Sequence, residues 1–180
     1  ERNDVSVISA NTDGFVSLLN KTEKDSFDKI CQKWEKKTKF NLEDTEYKAL
    51  YSRDVNNYLA ITIEGDTKGK GIFAETSLRK NPAGDIIIRA VNDYLLNGTS
   101  IENTIKKSSD PREFILARTV KGGAIWKDEY LGRVVRWIHS TKGENIRYKT
   151  NGNKVPKSDI AWPMMEMGNL PKHLDYDRYI

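Results

Sequence analysis

Two apolar runs, one with Val5, Val7 and Ile8 and the other with Phe15, Val16, Leu18 and Leu19, are joined by Asn11-Thr12-Asp13-Gly14. A hairpin of this kind holds the side chains at its tip in a rigid, exposed place. The one carboxylate there, Asp13, is a hard oxygen ligand. It suits Mg²⁺, which accepts one or two protein carboxylates and keeps waters or phosphate oxygens for its other positions. Gly14 leaves room for another backbone or a nucleic-acid strand to come close. The same residues are also the ordinary material of turns, where Asn and Asp bond the local backbone and Gly supplies positive φ. On composition alone that second use is the commoner one.

Other chemistry is scarce. Cys31 is the only cysteine, and His139 and His173 are the only histidines. No internal disulfide and no Cys/His zinc site can be built from that stock. A Cys-His or Ser-His triad is not expected, since neither histidine has an obvious partner nearby in sequence. A single thiol fits a reducing compartment, so a cytoplasmic location is expected. No apolar run approaches the roughly 20 residues of a membrane helix, so no membrane span is expected.

Charge is unevenly spread. Residues 1–113 hold 18 Lys/Arg and 19 Asp/Glu, a balance of −1. Residues 114–157 hold 10 and 3, a balance of +7, and residues 158–180 hold 2 and 4, a balance of −2. One segment carries the excess, which points to a polyanionic partner or to a solvated basic surface.

These residues need elements to position them. The hairpin is predicted at about 5–10 and 15–19. A helix should follow, because Phe27, Ile30, Cys31 and Trp34 sit at i, i+3, i+4 and i+7, and this places Cys31 toward a core. Thr22 ahead of Lys24 and Asp25 marks its start. Val55, Tyr58, Ala60, Ile61 and Ile63 predict a strand, and Gly69 and Gly71 break the pattern after it. Pro82 and Gly84 mark a change of character. Asp85 is read as the cap of a helix to about Asn97 with Ile87, Ala90, Val91, Tyr94 and Leu95 on one face, and Gly98 stops it. Ser100 starts a shorter helix through about Lys107. "FILARTVKGGAIW" reads as a strand ending at Gly122-Gly123, "YLGRVVRWIHS" as another, and "IRYKTNGNKVP" as a hairpin whose Asn151-Gly152 suits a type I′ turn. The tail, with Asp175, Tyr176, Asp177 and Tyr179, reads as packing back onto the body. Trp126, Trp137 and Trp162 read as core, with base stacking as the other use.

In that setting "SANTDG" resembles motif C of family B DNA polymerases, a strand–turn–strand of the palm. "RDVNNYLAI" (53–61) resembles the Lys-x-Tyr strand that lies against the primer end, and "KGKGIF" (68–73) the lysine-glycine turn after it. "SDPREFILARTVKGGAIW", "YLGRVVRWIHS" and "LPKHLDYDRYI" resemble the thumb of phage-type members. The resemblance covers most of the chain. It implies an α+β fold: an antiparallel palm-type β-hairpin and sheet with a packed helix over residues 1–74, then a mixed helix and β-hairpin thumb over 75–180.

The resemblance implies roles residue by residue. Asp13 matches the second aspartate of the motif, which bridges to catalytic Mg²⁺. Asn11 stands where the first aspartate usually sits, and Gly14 replaces a serine. Tyr58 matches the primer-strand tyrosine, Asn56 occupies the lysine position, and Lys68 or Lys70 would supply the cation instead. Lys121, Arg133, Arg136, Arg147, Lys149 and Lys154 would hold duplex phosphates. Arg133 and Arg136, three apart in a strand, should face opposite ways, whereas Arg147 and Lys149 should share a face. The second metal-binding aspartate of motif A, the lysine-bearing fingers helix of motif B and any exonuclease segment have no counterpart here. Two-metal chemistry needs carboxylates clamping ions about 3.5–4 Å apart. The chain, which opens on Glu1, is therefore expected to be a C-terminal portion of a DNA polymerase, completed by the remaining palm, fingers and exonuclease on the same or a separate chain. Primer-template DNA and deoxynucleoside triphosphates are its expected partners, and a bacterial host cytoplasm its setting. A non-catalytic basic clamp on nucleic acid and a Mg²⁺-dependent nuclease are the other functions the residues allow. The clamp has no need for Asp13, and the nuclease would need more carboxylates beside it.

Overall fold

In the computed structural model, which describes residues 5–74, 76, 82–166 and 168–180, helices and three antiparallel sheets give an α+β class. The chain divides into two compact units, Glu1–Ile72 and Phe73–Ile180. The sequence boundary expected at Glu75 falls on a residue outside those described.

The first unit opens with the expected hairpin, β1 (Ser6–Ala10) and β2 (Phe15–Leu18). Helix α1 (Lys24–Thr38) follows a 3-10 turn at Lys21–Glu23. The 3-10 turn is capped at Asn20, whose side chain forms a capping box with the Glu23 carboxylate, the Asn20 N–H donating to Glu23 Oε2 at 3.2 Å, and α1 itself begins at Lys24 after Glu23. The predicted apolar stripe exists but is only partly covered. Phe27 meets Phe15 edge-to-face at 6.2 Å, Cys31 is half-buried, and no residue of α1 is fully buried. Burial, then the carboxylates of Asp28, Glu35 and Asp44, hold the Cys31 thiol above its ordinary pKa.

A second sheet, in the order β3-β4-β5, follows with β3 (Tyr47–Asp54), β4 (Asn57–Thr62) and β5 (Thr67–Lys70). The strand predicted from Val55 to Ile63 is β4, shortened at its start, and β3 before it was not expected. Val55 and Asn56 form the turn between β3 and β4, because Asp54 bonds the Asn56 N–H at 2.9 Å and the Asn57 side-chain amide at 2.8 Å. Those bonds hold the Asp54 carboxyl below its usual pKa, Asn57 contributing most. Leu59 and Ala60 of β4 point to opposite faces, and both are buried.

Among its described residues the second unit has three α-helices, α2 (Asp85–Asn97), α3 (Ile101–Lys107) and α4 (Pro111–Phe114). They accompany a sheet in the order β8-β6-β7-β9, with β6 (Leu116–Trp126), β7 (Glu129–Glu144), β8 (Arg147–Tyr148) and β9 (Ala161–Pro163). Gly98 ends α2 in the left-handed region and Ser100 caps α3, as the sequence suggested. The buried face of α2 is Ile86 and Ala90, whereas Ile87 and Tyr94 are exposed, so the helix is turned by about one residue, roughly 100°, from the predicted face. Helix α4 is not expected from the sequence, where the predicted strand begins at Phe114, the last residue of this helix. Asp110 accepts from the Arg112 N–H at 3.0 Å and Pro111 occupies the first helical turn, which is a helix start.

Strand β6 does not end at Gly122-Gly123. Both glycines take positive φ, +82° and +84°, inside a bulge in which Thr119 pairs with Val134 but Ala124 pairs with Gly132. A Cβ on Gly123 would strike the Tyr130 ring. The turn lies later, at Lys127-Asp128, with Lys127 at φ +54°. The 147–154 hairpin forms, but not with a type I′ turn: the Tyr148 N–H donates to Asn153 O at 2.8 Å, and of the pair only Gly152 takes positive φ. Trp137, Phe114, Ile138 and Val135 lie in the core of this unit, and Trp126 and Trp162 pack partly buried against it. The tail folds back as expected: Tyr176 and Tyr179 stand edge-on to Phe114 at 6.0 and 5.1 Å. Among the described residues no helix is long and apolar enough to cross a membrane.

Candidate active-site cleft and basic surface

The tip of the first hairpin is organised by Asn11. Its side-chain Oδ1 accepts the N–H groups of Asp13 and Gly14, each at 2.9 Å, and its own N–H donates to Gly14 O at 2.9 Å. This Asx turn fixes the backbone with the amide and leaves the Asp13 carboxylate pointing out, exposed. An aspartate at position 11 could make the same bonds; the amide does so without adding charge.

Register in the second sheet assembles the opposite wall. Tyr58 pairs with Ser52 on one side and Lys70 on the other, and Ala60 pairs with Leu50 and Lys68. Directly paired residues share a face, so Leu50, Ser52, Tyr58, Lys68 and Lys70 lie on one side of the sheet. The Lys70 ammonium sits over the Tyr58 ring, 5.9 Å from its centroid. A cleft of about 250 Å³ is lined by Asp13, Gly14, Asn11 and Phe15 of the hairpin together with Ser52, Tyr58 and Lys70 of the sheet. Residues separated by more than 40 positions thus share one hollow.

Not every expected member is there. Lys68 shares the face of Lys70 but does not line the cleft, and Asn56 stands in the turn, outside it. Its neighbour Asn57 has the larger structural part. Its Oδ1 accepts the Ile72 N–H at 3.0 Å, and a Cβ on Gly71 would strike Asn57 and the Asn56 carbonyl. Ser52 and Phe15 were missed as cleft residues; the two-residue strand period and the Tyr58–Lys70 register point to Ser52 once the β3-β4 turn is known.

Could Mg²⁺ be held here? Asp13 supplies one hard oxygen at an open, rigid position, which fits an ion that takes its other ligands from water, phosphate and a second carboxylate. Among the described residues no group of three or more His, Cys, Asp or Glu stands together.

In the second unit the expected phosphate cations fall into two groups. Lys121, Arg133 and Arg136 form no ion pair among the described residues; Lys121 and Arg133 are exposed, and Arg136 is half-exposed. β7 pairs regularly from Val134 to Trp137, but Arg133 falls at the bulge between the Val134 and Gly132 pairs, where the strict alternation expected of Arg133 and Arg136 is interrupted. The others are engaged. Lys154 pairs with Asp159, whose carboxyl is held below its usual pKa chiefly by that bond. Arg147 donates to Gly152 O at 3.0 Å, and Lys149 lies 4.7 Å from the Tyr130 ring centroid. Lys154 is therefore a neutralised member of the set. Arg118, not singled out before, is exposed and without an ion pair among the described residues.

No family model matches the chain, and no curated protein matches it.

Proposed function

We propose that this chain is the motif C portion of the palm together with the thumb of a family B DNA polymerase. The observation that carries the reading is the shared cleft: Asp13, which is exposed, lines the same hollow as Tyr58 and Lys70. Asp13 would hold Mg²⁺, which when bound supplies Lewis-acid activation and neutralises triphosphate charge. Tyr58 and Lys70 position the primer end, the ring against the sugar and the ammonium on a phosphate. Lys121, Arg133 and Arg136 grip duplex phosphates without reading bases.

The exposed apolar surface of the first unit supports the same reading. Val7, Ile8, Phe15 and Leu18 are all more than 40% exposed, and among its described residues only Leu59 and Ala60 are buried hydrophobics. A two-stranded hairpin this bare suits a sheet continued by further palm strands. A clamp without catalysis would use the same cations and leave Asp13 idle.

Reconstitution tests the proposal. Mixing the chain with the remaining palm and fingers portion should give templated primer extension that neither part gives alone. No extension from a stable, duplex-bound mixture would overturn it.

A further inference from the structure

Helix α1 separates its charges. Of its five lysines, Lys24 is paired with Glu46, whereas Lys29, Lys33, Lys36 and Lys37 are exposed and form no ion pair among the described residues. At about 100° per residue these four fill one sector of roughly 100°, and Asp25, Asp28 and Glu35 fill a different one. The overall balance of −1 for residues 1–113 conceals this sector entirely.

The apolar stripe beside it is graded. Phe27 and Cys31, far from the lysines, are half-buried. Ile30 and Trp34, which adjoin them, are 41% and 45% exposed. Beyond the helix, Lys39 takes φ +64°, a left-handed conformation costing a lysine about 1 kcal/mol. That turn brings Phe40, 69% exposed, onto Trp34 with ring centroids 6.3 Å apart and planes 30° from parallel. Glu35 Oε1 fixes the segment by accepting the Leu42 N–H at 2.7 Å. Two large rings are thus held face to face in solvent beside four unpaired cations.

We propose that the Lys29–Lys37 sector and the Trp34–Phe40 pair form a binding site for single-stranded nucleic acid. Lysines spread over about 12 Å of helix match a charged backbone, and exposed aromatic rings offer stacking to unpaired bases. Duplex bases present no free π-face to such rings. A membrane-surface helix would need its whole apolar face for insertion, and here Phe27 is already packed on Phe15. The site stands apart from the Asp13 cleft and does not depend on the polymerase reading.

The test uses the full chain with Lys121, Arg133 and Arg136 changed to Gln, which suppresses the basic surface of the second unit. Binding of fluorescein-labelled oligo(dT) is followed by anisotropy. With four lysines on phosphates, affinity should fall about 50-fold between 50 and 200 mM salt, at roughly 0.7 per contact. Lys29→Gln, Lys33→Gln and Lys37→Gln together should weaken binding at least about tenfold at low salt and flatten the slope by about 2. Trp34→Leu, which keeps a good helix former, should weaken it at least about fivefold. Oligonucleotide affinity unchanged by either variant would overturn the proposal, as would binding to anionic phospholipid vesicles in place of the oligonucleotide.

Discussion

Tyr179 ties the chain end to the second unit. It is 2% exposed, its hydroxyl donates to Phe114 O at 2.7 Å, and it accepts the His139 N–H at 2.9 Å. Burial raises the pKa of this hydroxyl well above the ordinary tyrosine value, so it remains a neutral donor. Tyr179→Phe keeps the ring and its edge-on contact with Phe114 while removing only the oxygen. A carbonyl and an N–H then lose their partner in a water-poor interior. Each orphaned group costs about 1–3 kcal/mol, so the pair should cost about 2–6 kcal/mol. With a urea m-value of about 2 kcal/mol/M, the unfolding midpoint should drop by roughly 1–3 M. Tryptophan fluorescence of a Trp34→Phe background reads the right unit, because Trp126, Trp137 and Trp162 all lie in it and Trp34 lies in the other. Tyr176→Phe is the control: its ring also meets Phe114, but its hydroxyl makes no hydrogen bond among the described residues. A Tyr179→Phe midpoint within about 0.3 M of the parent, or equal shifts in the two variants, would refute the reasoning.

Three further outcomes are expected. Burial first, then Arg178, hold the His139 imidazole below its ordinary pKa, and its Nδ1 is buried without a partner among the described residues. Since the folded pKa is the lower one, the stability it protects is complete above about pH 6.5 and falls as pH drops toward the folded value; pH-dependent urea melts of His139→Gln should lose that slope. Gly123→Ala puts a Cβ into the Tyr130 ring at positive φ and should destabilise by at least about 1–2 kcal/mol, read in the same melts, whereas no change would mean the bulge relaxes freely. Changing Lys121, Arg133 and Arg136 to Gln should lower duplex affinity and reduce the salt slope by about 2.7, and an unchanged slope would remove these three from the phosphate contacts.

The legible parts of the fold share one property: their signals are local. The Asn11–Gly14 turn, the glycine stop at Gly98 and the serine cap at Ser100 are each decided within four residues. The misread parts depend on pairing. Val55-Asn56 looked like strand because Val55 is β-branched and the turn is made by the carboxylate of Asp54, one residue earlier. Gly122-Gly123 looked like a strand end, yet partners on both sides, β7 and β8, carry β6 through as a bulge. Asp110-Pro111 is a helix start in the short gap between the helix ending near Lys107 and the strand read from Phe114.

The candidate site divides in the same way. Asp13 stood out by its position between apolar strands. That Tyr58 and Lys70 join it, and Asn56 and Lys68 do not, follows from a register that no spacing rule reveals before the β3-β4 turn is fixed. The engagement of Lys154 by Asp159, five residues away across a bend, shows how a plain charge count overstates the cations available to DNA.

The proposed role of Asp13 is tested most directly by the rate of single-nucleotide incorporation when the chain is mixed with the remaining palm and fingers portion, with Asp13 intact and with Asp13→Ala, beside duplex affinity for both. Loss of a metal-bridging carboxylate worth several kcal/mol should slow incorporation by about 10³-fold or more with duplex affinity unchanged. Incorporation within about threefold of the parent would contradict the assignment.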